Sequence, residues 1–117
     1  MNRKKTGEWG EAVVVLKLKE LGFEIITTNF HTKYGEIDIV AREEGKIVFV
    51  EVKTRSNSLY GEAVEAVSRK KISNMIKAAH VYLQDNNMRA AYRIDVATLD
   101  KQDNGNWKFR LIRDALV

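Results

Sequence analysis

Gly35 to Arg55 reads GEIDIVAREEGKIVFVEVKTR. Two apolar, β-branched runs flank Glu44-Gly45, the pattern of two strands joined by a tight turn. Alternate residues of a strand face opposite sides of its sheet. Ile37, Ile39 and Ala41 therefore share one face of the first strand, and Val48, Val50 and Val52 one face of the second. Glu36, Asp38 and Val40 take the other face of the first strand. Ile47, Phe49, Glu51 and Lys53 take the other face of the second. An antiparallel hairpin with a two- or four-residue turn centred on Glu44-Gly45 brings Asp38 opposite Glu51 and Glu36 opposite Lys53. One face is then wholly apolar and the other carries four charges. A slip of one residue would destroy both.

Charges within buried strands are unfavourable unless compensated. Directly opposed side chains have Cβ atoms about 4.5–5.5 Å apart, so two carboxylates there repel, and one tends to hold a proton. A divalent cation between them removes the conflict, and hard oxygen ligands suit Mg²⁺ or Mn²⁺. Lys53 follows Glu51 on the same face, about 6.5–7 Å along the strand. Two acids holding a cation beside a lysine can hydrolyse a phosphodiester: the metal activates water, and the lysine orients the nucleophile or meets developing charge. The competing interpretation is an ordinary ion pair of Asp38 with Lys53 or with a base from a helix.

Working outward, Gly7 to Leu21 reads as a helix with Trp9, Ala12, Val13, Leu16 and Leu18 on its apolar side, and Gly22 offers a left-handed stop. Phe23 to Thr28 reads as a strand and NFHTKYG as a loop. Beyond Arg55, SNSLYGE is loop-like, and EAVEAV reads as a short strand or a lead-in to a helix. Ser68 is a candidate N-cap. Ile72, Met75, Ile76, Ala79, Tyr82 and Leu83 recur at helical spacing up to about Gln84. YRIDVATL and WKFRLI alternate as strands around the turn DKQDNGN. The order α-β-β-β-α-β-β predicts a mixed α/β domain, with helices flanking a central sheet.

The chain has 117 residues, which suits one domain spanning 1–117. Cys is absent and only two His are present. That excludes disulfides, thiolate metal sites and a cysteine nucleophile, and any zinc site would need carboxylates. No apolar run is long enough to span a membrane, and the N-terminus lacks a signal core, so a cytoplasmic location is expected. The net charge of +4 is compatible with a polyanionic partner without requiring one. Basic residues cluster at Arg3-Lys4-Lys5, at Lys53 with Arg55, and at Arg69-Lys70-Lys71.

Asp38 followed by Glu51-Val52-Lys53 resembles the D…(D/E)-x-K signature of the restriction-endonuclease-like nuclease superfamily. GEWGEAVV, GEIDIVA, VFVEVKTR, EAVSRKK and RIDV together resemble the bacterial YraN family, which is similar to archaeal Holliday junction resolvases, over nearly the whole chain. Superfamily members often carry Pro before the aspartate, whereas Ile37 stands here, as is usual in the YraN pattern. The resemblance implies Asp38 and Glu51 as metal ligands, with a backbone carbonyl, that of Val52, as a third, and Lys53 as the catalytic lysine. It implies Glu11 as the acid from the first helix, with Glu8 one turn earlier as the competing candidate. Glu11 precedes Val14, Val15 and Leu18, so it heads an apolar stripe; a helix-start glutamate favoured by the dipole is the alternative.

Arg55, on the strand parity of Lys53, and Lys70, at the start of the second helix, are candidate phosphate contacts. Asp95 repeats the wording around Asp38 without a following E-x-K and reads as structural or as a surface acid. The expected function is an Mg²⁺- or Mn²⁺-dependent endonuclease acting on DNA, branched or otherwise structured, in repair or recombination. Cutting a symmetric substrate would need a homodimer. The rival is a non-catalytic nucleic-acid-binding accessory protein of the same fold.

Overall fold

The computed structural model describes residues 3–56 and 68–115. The stretches read as SNSLYGE and EAVEAV lie, but for Ser56, outside the described residues. The elements are α1 (Arg3–Glu20), β1 (Glu24–Thr32), β2 (Gly35–Glu43), β3 (Lys46–Arg55), α2 (Arg69–Asp85), β4 (Tyr92–Lys101) and β5 (Trp107–Ile112). The expected order holds. The five strands lie side by side in chain order. All neighbours are antiparallel except β3 and β4, which run parallel and have α2 between them in the chain. This is the mixed sheet that the sequence predicts. No helix among the described residues is long and apolar enough to cross a membrane.

The hairpin of β2 and β3 has the expected register. Pairs run from Glu43↔Lys46 through Ala41↔Val48 to Ile39↔Val50. Glu44 and Gly45 both have positive φ, 50° and 79°, which makes the turn a two-residue type I′. Period-two alternation then sorts the core. Ile39, Ala41, Val48 and Val50 join Val14 and Leu18 of α1 on one side of the sheet. Val40, Ile47 and Phe49 join Met75, Ala78, Ala79 and Tyr82 of α2 on the other.

Ile37 departs from this scheme. It packs in the α2-side core with Val40, not beside Ile39. Strand β2 leaves β3 after Ile39↔Val50 and continues paired with β1 alone, through Phe30↔Ile37 and His31↔Glu36. Between Thr28↔Ile39 and Phe30↔Ile37, Asn29 adopts φ of 54°, an irregularity in β1 beside Asp38. The strand rolls over at Asp38, and the wholly apolar face ends one residue sooner than alternation alone predicts.

Helix α1 also differs from expectation. It begins at Arg3, four residues before Gly7, and its buried residues are Gly10, Val14 and Leu18, whereas Ala12 and Leu16 are exposed. Apolar residues fill every position from Ala12 to Leu16, so spacing alone does not select the inner face. Close approach to the sheet selects it instead: a Cβ on Gly10 would stand 2.0 Å from Thr54 Oγ1 and 3.1 Å from Thr54 Cβ. The helix ends as predicted. Gly22 has φ of 97°, Phe23 N–H donates to Leu18 O at 2.9 Å and Gly22 N–H to Lys19 O at 3.1 Å, a Schellman pair. Strand β1 runs on to Thr32, so Asn29-Phe30-His31-Thr32 is strand, not loop. Polar residues are tolerated there because β1 is an edge strand with a solvated outer side.

Helix α2 starts where its N-cap signal places it. The Ser68 side chain accepts a hydrogen bond from Lys71 N–H at 3.1 Å. This cap fixes which residues occupy the first turn at the end of the sheet where β2 and β3 separate.

Candidate active site

The departure of β2 from β3 opens a notch at one end of the sheet. Asp38 fills it: its Oδ2 accepts the N–H of Val52 at 2.8 Å, a donor on β3 beyond the last pair with β2. Glu51 lies one residue before Val52 and is 4% exposed. Its Oε1 receives two ammonium groups, Lys53 Nζ at 3.7 Å and Lys71 Nζ at 3.4 Å. Its Oε2 is buried with no hydrogen-bond partner.

Electrostatics tie Asp38 to the same cluster. Burial, and then the charge of Glu51, push its carboxyl up to about 7. The Val52 N–H and Lys71 oppose this, and Glu11 adds to it. Both anions are therefore unfavourable together, as their predicted apposition requires. They meet across the notch, not as opposed residues of a continuous ladder.

Glu11 of α1 is half-buried. Burial raises its pKa, followed by the charges of Glu36 and Glu51. Asn29 counters this. In the amide orientation that satisfies both its ends, its nitrogen donates to Glu11 Oε1 at 3.0 Å and to Glu36 Oε1 at 2.5 Å. Glu8, the competing acid, is exposed and acts on Glu11 more weakly than Glu36 or Glu51 does. Of the two, Glu11 is the one that feels the acids of the notch.

One expected pairing is not formed. Glu36 does not face Lys53: it stands opposite His31, 3.7 Å from His31 Nδ1, because β2 has already turned toward β1. Arg55 is paired in register with Asp100, whose raised pKa reflects burial, offset by Arg55. Lys70 is exposed, and its neighbour Lys71 is the α2 residue that reaches Glu51. Asp95 is fully buried, so of its two readings the structural one holds. It is held by Arg93 Nε at 2.9 Å and accepts Asp114 N–H at 3.0 Å. Arg93 also binds Glu43 at 2.6 Å, making a structural network beside the Glu44-Gly45 turn.

Lys71 and Asn29 stand at this cluster without having been singled out in the sequence, and Glu36 was named there with the wrong partner. The Ser68 cap signal located the first turn of α2, but not which of its three bases points inward. Glu36 was visible as a same-face charge of Asp38. Asn29 left no signal once its segment read as a loop.

The arrangement suits a divalent cation in part. Among the described residues no three His, Cys, Asp or Glu side chains stand close enough to hold a metal by themselves. Asp38 and Glu51 supply two carboxylates, and Glu51 Oε2 is a buried oxygen without a partner. Mg²⁺ commonly uses one or two carboxylates and keeps several waters, so this donor set fits it. Two carboxylates and two lysines at one notch can bind a cation and a phosphate side by side.

Comparison with known proteins places the chain. Residues 10–99 match the family described as uncharacterised protein family UPF0102. The chain is 48% identical over 84 residues to a UPF0102 protein of Syntrophomonas wolfei, covering 72% of each. It is 43% identical over 115 residues to one of Geotalea daltonii, covering 97% of this chain and 91% of the relative. It is 40% identical over 121 residues to one of Caldicellulosiruptor bescii, covering 98% and 99%. Among solved structures, Pyrococcus furiosus SfsA in complex with Ca²⁺ is similar at a TM-score of 0.37 and 13% identity. That match covers 96% of this chain and 64% of the other, and a likeness this slight carries no argument about function. By sequence, this chain belongs to the UPF0102 family, the YraN family its motifs resemble.

Proposed function

We propose that the chain is a metal-dependent nuclease that hydrolyses phosphodiester bonds in DNA, with branched or otherwise structured DNA as its substrate. The observation that carries this reading is Glu51: a buried carboxylate with two lysines on one oxygen, no partner on the other, and Asp38 beside it. An ordinary ion pair does not explain why a second acid is kept so near, at the expense of its own ionisation.

Asp38 and Glu51, with the main-chain carbonyl of Val52, would hold Mg²⁺ or Mn²⁺, which when bound supplies Lewis-acid polarisation of the phosphate and a more acidic water. Lys53 brings a positive charge next to Glu51, where it can meet charge developing on a phosphoryl oxygen. Glu11, the proposed acid of the first helix, is raised in pKa by burial and by the charges of Glu36 and Glu51, a penalty that a bound cation would relieve. Arg55 and Lys70 are the proposed outer contacts to the DNA backbone. One chain carries one such centre, so cutting both arms of a symmetric substrate requires a homodimer.

The test uses purified protein, Mg²⁺ or Mn²⁺, and branched, single-stranded and duplex DNA. Cleavage that Asp38→Ala and Lys53→Ala abolish, with binding retained in gel shift, supports the enzyme. Binding to every substrate without cleavage supports the accessory-protein reading instead.

A further inference from the structure

We propose that Lys71 is a second cationic residue of this site: it neutralises Glu51 in the metal-free protein and passes to the substrate phosphate when a metal takes the free Oε2 of Glu51. This inference rests on the nuclease reading and assigns a role that the D…E-x-K pattern does not contain. Lys71 Nζ is 3.4 Å from Glu51 Oε1, nearer than Lys53 Nζ at 3.7 Å. With Asp38 ionised, the two ammonium groups balance Asp38 and Glu51, and Glu11 is a further acid close by. Arrival of a divalent cation then leaves excess positive charge in a partly desolvated notch. A phosphodiester is the anion that offsets it, and the lysine displaced from Glu51 is the group free to meet it.

The local structure permits that transfer. The Lys71 backbone is pinned by Ser68, whose side chain accepts its N–H at 3.1 Å. Its side chain is 38% exposed, so the ammonium lies at the mouth of the notch. The first turn of α2 holds Arg69, Lys70 and Lys71 and no acid. Basic residues at a helix N-terminus add to the positive end of its dipole, so this placement disfavours the helix and favours an anion in front of it.

The experiment compares wild type with Lys71→Met, which keeps the apolar stem, and with Lys71→Arg, which keeps the charge. Mn²⁺ affinity is measured by calorimetry without DNA at pH 8.5, where proton competition is small. Cleavage of the DNA substrate is measured at saturating Mn²⁺. Removing a like charge beside the metal should tighten Mn²⁺ binding by Lys71→Met roughly tenfold, while cleavage slows at least tenfold and Lys71→Arg restores most of it. A lysine that merely props up Glu51 would give weaker Mn²⁺ binding together with slower cleavage. Weaker or unchanged Mn²⁺ affinity, or undiminished cleavage, in Lys71→Met overturns the assignment of Lys71 alone. Absence of Mn²⁺ binding and of cleavage in wild type overturns the nuclease reading, and this inference falls with it.

Discussion

Replacing Asp38 with Asn should stabilise the metal-free protein, by an amount that depends on pH in a defined way. The Asn side chain keeps an oxygen for the Val52 N–H and removes the charge that burial and Glu51 oppose. The folded pKa of Asp38 is raised from 3.8 to about 7, so the folded state holds its proton more tightly than the unfolded chain. Stability from this group is therefore fully present below pH 3.8 and is lost as pH rises through 7. One pKa unit corresponds to about 1.4 kcal/mol, which sets an upper limit of about 4 kcal/mol on the loss at pH 8.5. Partial exposure of Asp38 to solvent reduces the expected gain for Asp38→Asn to about 2 kcal/mol, or roughly 8 °C in Tm for a domain of this size. Urea unfolding with EDTA, followed by the fluorescence of Trp9 and Trp107, measures it at pH 8.5 and pH 4. The gain should fall below about 1 kcal/mol at pH 4, where the charge is absent from the folded state. Saturating Mn²⁺ should reverse the ranking at pH 8.5, because wild type alone gains the ligand's stabilisation in full. An equal gain at both pH values, or none at pH 8.5, would refute the claim that the two acids repel across the notch.

Further outcomes follow from other contacts. Gly10→Ala should cost about 2 kcal/mol in urea unfolding, because both Oγ1 and Cβ of Thr54 lie in the way and rotating the threonine moves only the first; adding Thr54→Ala should recover part of it. Asp95→Ala should cost about 2–3 kcal/mol by leaving the Asp114 N–H without its acceptor and Arg93 with Glu43 alone, while Mn²⁺ affinity stays unchanged. Ser68→Ala should cost about 1 kcal/mol by removing the cap of α2, and should slow cleavage by loosening Lys71. Lys53→Met should lower the cleavage rate at saturating metal by about a hundredfold or more, with the fold intact by circular dichroism.

The hairpin was legible because two periodicities agreed. Apolar and charged residues alternate around Asp38 in β2 and from Val50 to Lys53 in β3, and a register shift of one would turn Glu51 toward α1. The turn was legible through Gly45, and the start of α2 through Ser68. The roll of β2 at Asp38 was not, since it arises from Asn29 in the neighbouring strand and from the end of pairing with β3. The same event gave Glu36 a different partner and hid Asn29. The inner face of α1 was ambiguous because valines fill three consecutive positions, and only the approach of Gly10 to Thr54 resolves it. Choosing Lys71 over Lys70 needs the rotation of α2 about its axis, which depends on how Met75, Ala79 and Tyr82 seat against Phe49 and Ile94. Acids and bases were found where strand parity governs them and missed where tertiary packing does.

The central claim is that Asp38 and Glu51 share a divalent cation. Anomalous diffraction from crystals soaked in Mn²⁺ addresses it directly. One strong peak is expected in the notch, bonded to an Asp38 carboxylate oxygen and to Glu51 Oε2. A peak bound elsewhere on the chain, or none at saturating Mn²⁺, would contradict it.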